Sequence, residues 1–157
     1  MPETVTCPTC RTTVPTEDGA LRRHVRDGEP CPGGETVQSA PLPWTKPLTQ
    51  NQVRRMHHLA EARVKRQMSD DARWLIRNAK LTPLTRAAVT LHYRPGTRRP
   101  CDADGLAPTL KVALDALVRE GVLPDDDYRH VPRVGIQIEE PHDGMPAGFW
   151  LTIEEAS

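Results

Sequence analysis

The sequence predicts an α+β fold, a mixed or antiparallel sheet with helices on one side, preceded by a small zinc-binding module. Three observations carry this expectation. Two stretches, Thr49 to about Ala79 and Leu106 to Glu120, repeat apolar residues every three or four positions, as amphipathic helices do. Three runs, Ala87–Arg94, Val134–Ile138 and Phe149–Ile153, alternate apolar and polar residues, as half-buried strands do. Ahead of them, cysteines and one histidine recur at a spacing that suits a metal. The expected domains are a zinc-finger-like module over 1–35, a Pro-rich linker over 36–48, and a main domain over 49–157.

The module begins with Cys7 and Cys10 in C-P-T-C, followed by His24 and Cys31, giving C-x2-C-x13-H-x6-C. A two-residue gap lets both thiolates reach one tetrahedral Zn²⁺. Arg11–Val14 is expected as a short strand, and Gly19–His24 as a turn into a short helix. So few residues bury little core, so the metal would supply the folding energy. The alternative is a tail with incidental cysteines. Pro30–Pro47 is rich in Pro, Gly and Ser and reads as a linker, extended near Trp44, which packs on the main domain.

In the main domain, Thr49 and Gln52 form a capping box for the first helix. Val53, Met56, Ala60, Val64, Met68, Ala72, Leu75 and Ala79 make its apolar stripe, and Ser69-Asp70-Asp71 could start a second helix. Arg54, Arg55, His57, His58, Arg63, Lys65 and Arg66 cover the other faces as a basic surface. A strand over Ala87–Arg94 ends at Pro95-Gly96. The last two alternating runs flank a loop with Asp143-Gly144 and read as a long-looped antiparallel hairpin.

Chemistry concentrates between Arg98 and Asp127. On an extended segment, residues two apart point to one side, so Asp102 and Asp104 can offer two carboxylates to one hard cation such as Mg²⁺. The helix that follows carries Lys111 and Asp115, begins near Pro108, and stops at Gly121. The turn beyond it can return Asp125 and Asp126 along the helix, supplying a third carboxylate. Arg94, Arg98 and Arg99 precede the acids and, with Arg54 and Arg55, are candidates for DNA phosphate contacts. Cys101 reads as a small buried residue, since a soft thiolate suits Mg²⁺ poorly. Blander readings stand beside these: turn formers at Asp102 and Asp104, a simple i, i+4 pair at Lys111 and Asp115, and a solvated turn at 125–127.

This stretch resembles the RusA-type Holliday junction resolvases, whose pattern is D-x-D-N, a lysine, D-A-L, and a D-D pair after a Gly-ended helix. Asp102 and Asp104 match the first acids, and Lys111 lies four residues before Asp115-Ala116-Leu117. Asp125-Asp126 follow at ten and eleven residues beyond Asp115. Gly105 stands where Asn is usual, and three additional residues, roughly Ala107–Thr109, separate Asp104 from Lys111. The resemblance implies a RusA-like endonuclease domain over 49–157 and a homodimer that cuts four-way DNA junctions with one or two Mg²⁺ per subunit. It further implies Asp102, Asp104 and Asp126 as ligands, Asp125 assisting, and Lys111 stabilising charge.

Charge is divided in a way that suits such an enzyme. The 157-residue chain is neutral overall, yet residues 46–100 carry 13 Lys or Arg against 3 Asp or Glu. Residues 101–157 carry 4 against 12, and residues 1–45 carry 4 against 6. A basic surface holds phosphates and an acidic cluster holds metal. No run of ~18 apolar residues is present, so no membrane span is expected. With no basic-then-apolar start, the expected setting is the cytoplasm, where four cysteines point to metal rather than disulfides. The competing reading is a zinc-bearing DNA-binding or junction-binding protein without catalysis.

Overall fold

The computed structural model describes residues 3–6, 11, 13–16, 25–26, 29–30 and 37–156. In the first 35 residues, β1 (Glu3–Thr6) pairs antiparallel with β2 (Thr13–Thr16), and β3 (Val25–Arg26) with β4 (Glu29–Pro30). The expected strand at Arg11–Val14 therefore begins two residues later, at Thr13. Cys7, Cys10, His24 and Cys31, and the turn expected at Gly19–His24, lie outside the described residues.

The main domain is α+β, with a four-stranded mixed sheet. Its strands are β5 (Val37–Leu42), β6 (Ala87–Arg94), β7 (Arg133–Ile138) and β8 (Gly148–Glu155), in the order β5-β8-β6-β7. The segment expected as a linker thus supplies an edge strand, with Pro41 inside it. An edge strand tolerates proline, because one side of it needs no ladder donor. The expected hairpin is also corrected. β7 runs parallel to β6, while β8 lies antiparallel between β5 and β6. Alternation identified the strands but carried no information about which neighbours they would take.

A parallel neighbour requires a crossover. Here the connection from β6 to β7 contains α3 (Ala107–Arg119). Val89, Leu91 and Tyr93 of β6 stand in register with Ile153, Leu151 and Phe149 of β8, and all six are buried. They form one core with Ala72 and Ile76 of α2 (His58–Asn78) and with Ala113, Leu114 and Leu117 of α3. The alternate positions, among them Thr90, His92, Trp150 and Thr152, face the opposite side and are only partly buried. Among the described residues, no helix is long and apolar enough to cross a membrane.

The helix signals held locally, with one break misplaced. Thr49 and Gln52 form the full capping box of α1 (Gln50–Arg55). The chain then breaks at Met56-His57, and the His57 ring accepts from the Leu59 N–H to start α2. Ser69 does not begin a helix. It is buried within α2, where its hydroxyl accepts from Arg119 at 3.1 Å. Trp44 packs on the main domain, donating to the Met68 carbonyl at 3.2 Å and meeting Phe149 edge-on.

Candidate active site

α3 buries Leu110, Ala113, Leu114 and Leu117, which leaves Lys111 on its outer face. The Lys111 ammonium donates to Asp115, one turn on, at 2.8 Å. It also binds Asp126, which arrives from the turn after the helix. That return is built by the helix end. Gly121 has φ +74, its N–H bonds the Val118 carbonyl, and the Val122 N–H reaches back to Leu117. This double closure favours glycine at the left-handed position. Val122 and Leu123 then bury, and the Leu84 N–H bonds Val122 O at 2.9 Å, fixing where the acidic turn starts. Asp125 accepts from the Asp126 N–H at 2.7 Å, and Asp127 accepts from the N–H groups of Arg129 and His130.

The electrostatics follow from these contacts. The hydrogen bond from Lys111 holds the Asp126 carboxyl below the usual carboxylate range, against a smaller opposing effect of burial. Burial works against the Lys111 ammonium, but its bonds to Asp115 and Asp126 outweigh that and raise it above the ordinary lysine value. Both groups are therefore fully charged near neutrality.

Asp102 and Asp104 sit differently from the expectation. Ala103 between them has φ −62 and ψ −41, helical rather than extended. At ~100° per residue, two residues apart on a helical turn diverge by roughly 200° instead of sharing a side. Both aspartates are exposed, and neither carboxylate makes a hydrogen bond or ion pair among the described residues. Asp104 opens a 3₁₀ turn, Asp104–Leu106, that runs directly into α3. Residues three apart eclipse in a 3₁₀ turn and residues four apart align in an α-helix. Asp104, Ala107, Lys111 and Asp115 therefore form one outward row. Rises of ~2.0 and ~1.5 Å per residue place the Cα of Asp104 about 12 Å from that of Lys111.

Ala107–Thr109 are the first turn of α3, with Pro108 at its start. Thr109 is fully buried, and its hydroxyl both accepts from the Leu48 N–H at 2.8 Å and donates to the Leu48 carbonyl at 2.9 Å. This turn thereby clamps α3 to the chain leaving β5.

The candidate arginines come from three places: β6, the loop after it, and α1. Arg98 and Arg99 are exposed and line a groove of about 260 Å³ with Cys101, Glu139 and Glu140. Arg98 lies 3.8 Å from Asp143. Arg94 points to the open face, its guanidinium 5.6 Å from the centre of the Trp150 ring, and one of its N–H groups reaches Pro146 O at 3.4 Å. Arg54 and Arg55 occupy the exposed last turn of α1, where they also complement the helix dipole. Cys101 packs against the core, and burial raises its thiol above the ordinary value, with the Asp102 charge adding to the rise.

The row therefore brings Lys111, Asp115 and Asp126 into contact and leaves Asp102 and Asp104 unbonded at the start of the helix. Among the described residues, no three His, Cys, Asp or Glu side chains stand close enough to share a metal ion. Sequence reasoning missed two further features. His92 stacks on Trp150 at 5.2 Å and is held by Glu139 and Thr152, both at 2.9 Å. Lys65, Arg66 and Arg119 line a groove between α2 and α3. Outward alternation places His92 and Trp150 on solvent faces of their strands, but only the β6–β8 register makes them neighbours. No protein-family model matches the chain, and no curated protein matches it either.

Proposed function

We propose that the chain is a Mg²⁺-dependent, structure-specific endodeoxyribonuclease that resolves four-way DNA junctions as a homodimer in the cytoplasm. The observation that supports this reading best is the meeting of Lys111 with Asp126. The two are fifteen residues apart, on a helix and on the turn after it, in the order of the resolvase motif. The donors have the right chemistry, since carboxylate oxygens suit a hard cation. Asp102, Asp104 and Asp126 would hold the ion, with Asp125 beside them. When bound, the ion would lower the pKa of a water and offset charge on the phosphate. Lys111 offers a fixed positive charge on the same row, suited to stabilising an anionic phosphate oxygen. Arg98 and Arg99 would position the backbone nearby. In the first 35 residues, Cys7, Cys10, His24 and Cys31 would hold one Zn²⁺.

The test is incubation with a synthetic four-way junction and a matched linear duplex, with and without Mg²⁺. Paired nicks in the junction alone, lost on Mg²⁺ removal and in Asp104→Asn, are expected. Nicking by Asp104→Asn at the wild-type rate removes that residue from the ligand set. Metal analysis of the full chain should give about one zinc, lost in a Cys7→Ser/Cys10→Ser variant.

A second reading has its own observation. The single charge of Lys111 is already shared between Asp126 and Asp115, as expected of a DNA-binding relative without catalysis. That reading expects junction affinity unaffected by Mg²⁺ or by Asp104→Asn, and no nicks.

A further inference from the structure

We infer that the groove between α2 and α3 is a phosphate-binding subsite, filled by a backbone phosphate of the nucleic acid beside the one at the Lys111 cluster. The inference rests on the nucleic-acid reading above. Positions 65, 66 and 69 of α2 face positions 112, 115 and 119 of α3 across a space of about 180 Å³. That is below the ~300 Å³ at which small-molecule pockets begin. It suits one compact ionic group rather than a base or a nucleotide.

Its walls are cationic. Lys65, Arg66 and Arg119 face it, and Asp115 is the one acid lining it. The Asp115 charge is partly offset by Lys111 at 2.8 Å, which it shares with Asp126. Lys65 has Glu61 as an ion-pair partner one turn before it. Arg119 is held by the buried Ser69 hydroxyl. Arg66 is exposed, and its guanidinium makes no hydrogen bond or ion pair among the described residues. Two guanidinium forks and an ammonium converging on a small polar groove match the oxygens of a phosphodiester.

Asp115 connects the groove to the candidate active site. It closes one wall and also holds Lys111 at 2.8 Å, so the Lys111–Asp115 pair leads from the candidate site into the groove. A nucleic-acid strand held by one phosphate near Lys111 has Arg66 and Arg119 on the far side of Asp115 for the next contact.

Two measurements on the full chain test this. With no Mg²⁺ added, the affinity for a labelled four-way junction is followed across a salt series, for the wild type and for Lys65→Gln/Arg66→Gln. Each phosphate neutralised contributes about 0.9 to the slope of log affinity against log salt, so the variant should lose about one unit. Separately, inorganic phosphate is titrated into each protein by NMR. Amide shifts at Arg66, Ser69 and Arg119 are expected in the wild type and absent in the variant. Equal slopes and affinities for the two proteins, with no phosphate shifts in the groove, overturn the inference. Groove shifts with phosphate in a wild type that binds no DNA overturn the nucleic-acid reading and leave only an anion site.

Discussion

Asp126→Asn and Lys111→Met, singly and together, probe the contact on which the candidate site depends. The Lys111 side chain is 54% exposed and that of Asp126 is 27% exposed, so water screens the pair substantially. Exposed ion pairs contribute ~0.2–1 kcal/mol, and this one should sit near the upper end because Asp126 is the less exposed partner. The two single variants should differ. Without Asp126, Lys111 keeps Asp115 at 2.8 Å. Without Lys111, two carboxylates face each other with no cation between them. Asp126→Asn should therefore cost about 0.5 kcal/mol and Lys111→Met about 1 kcal/mol, with a coupling of roughly 0.5–1 kcal/mol. Urea unfolding of the four proteins at pH 7 and low salt measures it.

The pH sign follows from the shifts. Asp126 is depressed in the folded state, so its contribution is complete above the unfolded carboxylate value and is lost as pH falls through the folded one. Lys111 is raised, so its contribution is complete below the unfolded lysine value and is lost as pH climbs through the folded one. The coupling should be flat from about pH 5 to 9, shrink in acid, and weaken in 0.5 M salt. A coupling of zero at low salt and neutral pH would refute the contact, and with it the argument that α3 and the acidic turn converge.

Four other perturbations follow from the same geometry. Thr109→Val strands the Leu48 N–H in a buried site and should cost about 1–3 kcal/mol in urea unfolding. Gly121→Ala places a Cβ at φ +74, in otherwise open space, so only backbone strain acts, costing about 1–2 kcal/mol by the same assay. Glu120→Gln removes a carboxylate held below its usual range by Arg77 first and Arg73 second. Stability from Glu120 is present above the unfolded carboxylate value and lost below the folded one, so the variant should show a flatter acid limb in a Tm–pH series. Gly105→Asn tests how much the exposed turn before α3 tolerates a side chain. A Cβ there meets nothing within 4 Å and the backbone is not left-handed, so stability should stay within about 0.5 kcal/mol by thermal melt.

Local chemistry was legible and pairing was not. Thr49-x-x-Gln52, the strand Ala87–Arg94 and the stop at Gly121 each depend on near neighbours in sequence, and each is present. β5 was hidden because Pro41 and its flanking Pro and Ser residues read as punctuation. Only the register with β8 shows that an edge position accommodates them. The break expected at Ser69 failed for a related reason. A buried serine serving Arg119 from another helix looks, in sequence, the same as an N-cap. In the candidate site, Lys111 and Asp115 were readable as an i, i+4 pair, whereas Lys111 with Asp126 needed the Gly121 turn and the burial of Val122 and Leu123.

The divergence of Asp102 from Asp104 bears on how such a site would close. A helical Ala103 points the two carboxylates apart, and both remain exposed and unbonded. Two like charges on adjacent turn positions repel less when they diverge, so this conformation suits the chain with no cation between them. A hard cation reverses that preference, because carboxylates that repel one another are held together by the charge they share. Ala103 lies between the two aspartates, so its backbone is where this change would be made. Thr109 holds the start of α3 to Leu48, so rotation about Ala103 would bring Asp102 towards Asp104 without moving Lys111. In such a site Lys111 would stay fixed on a clamped helix, and the acids in front of it would adjust to the ion.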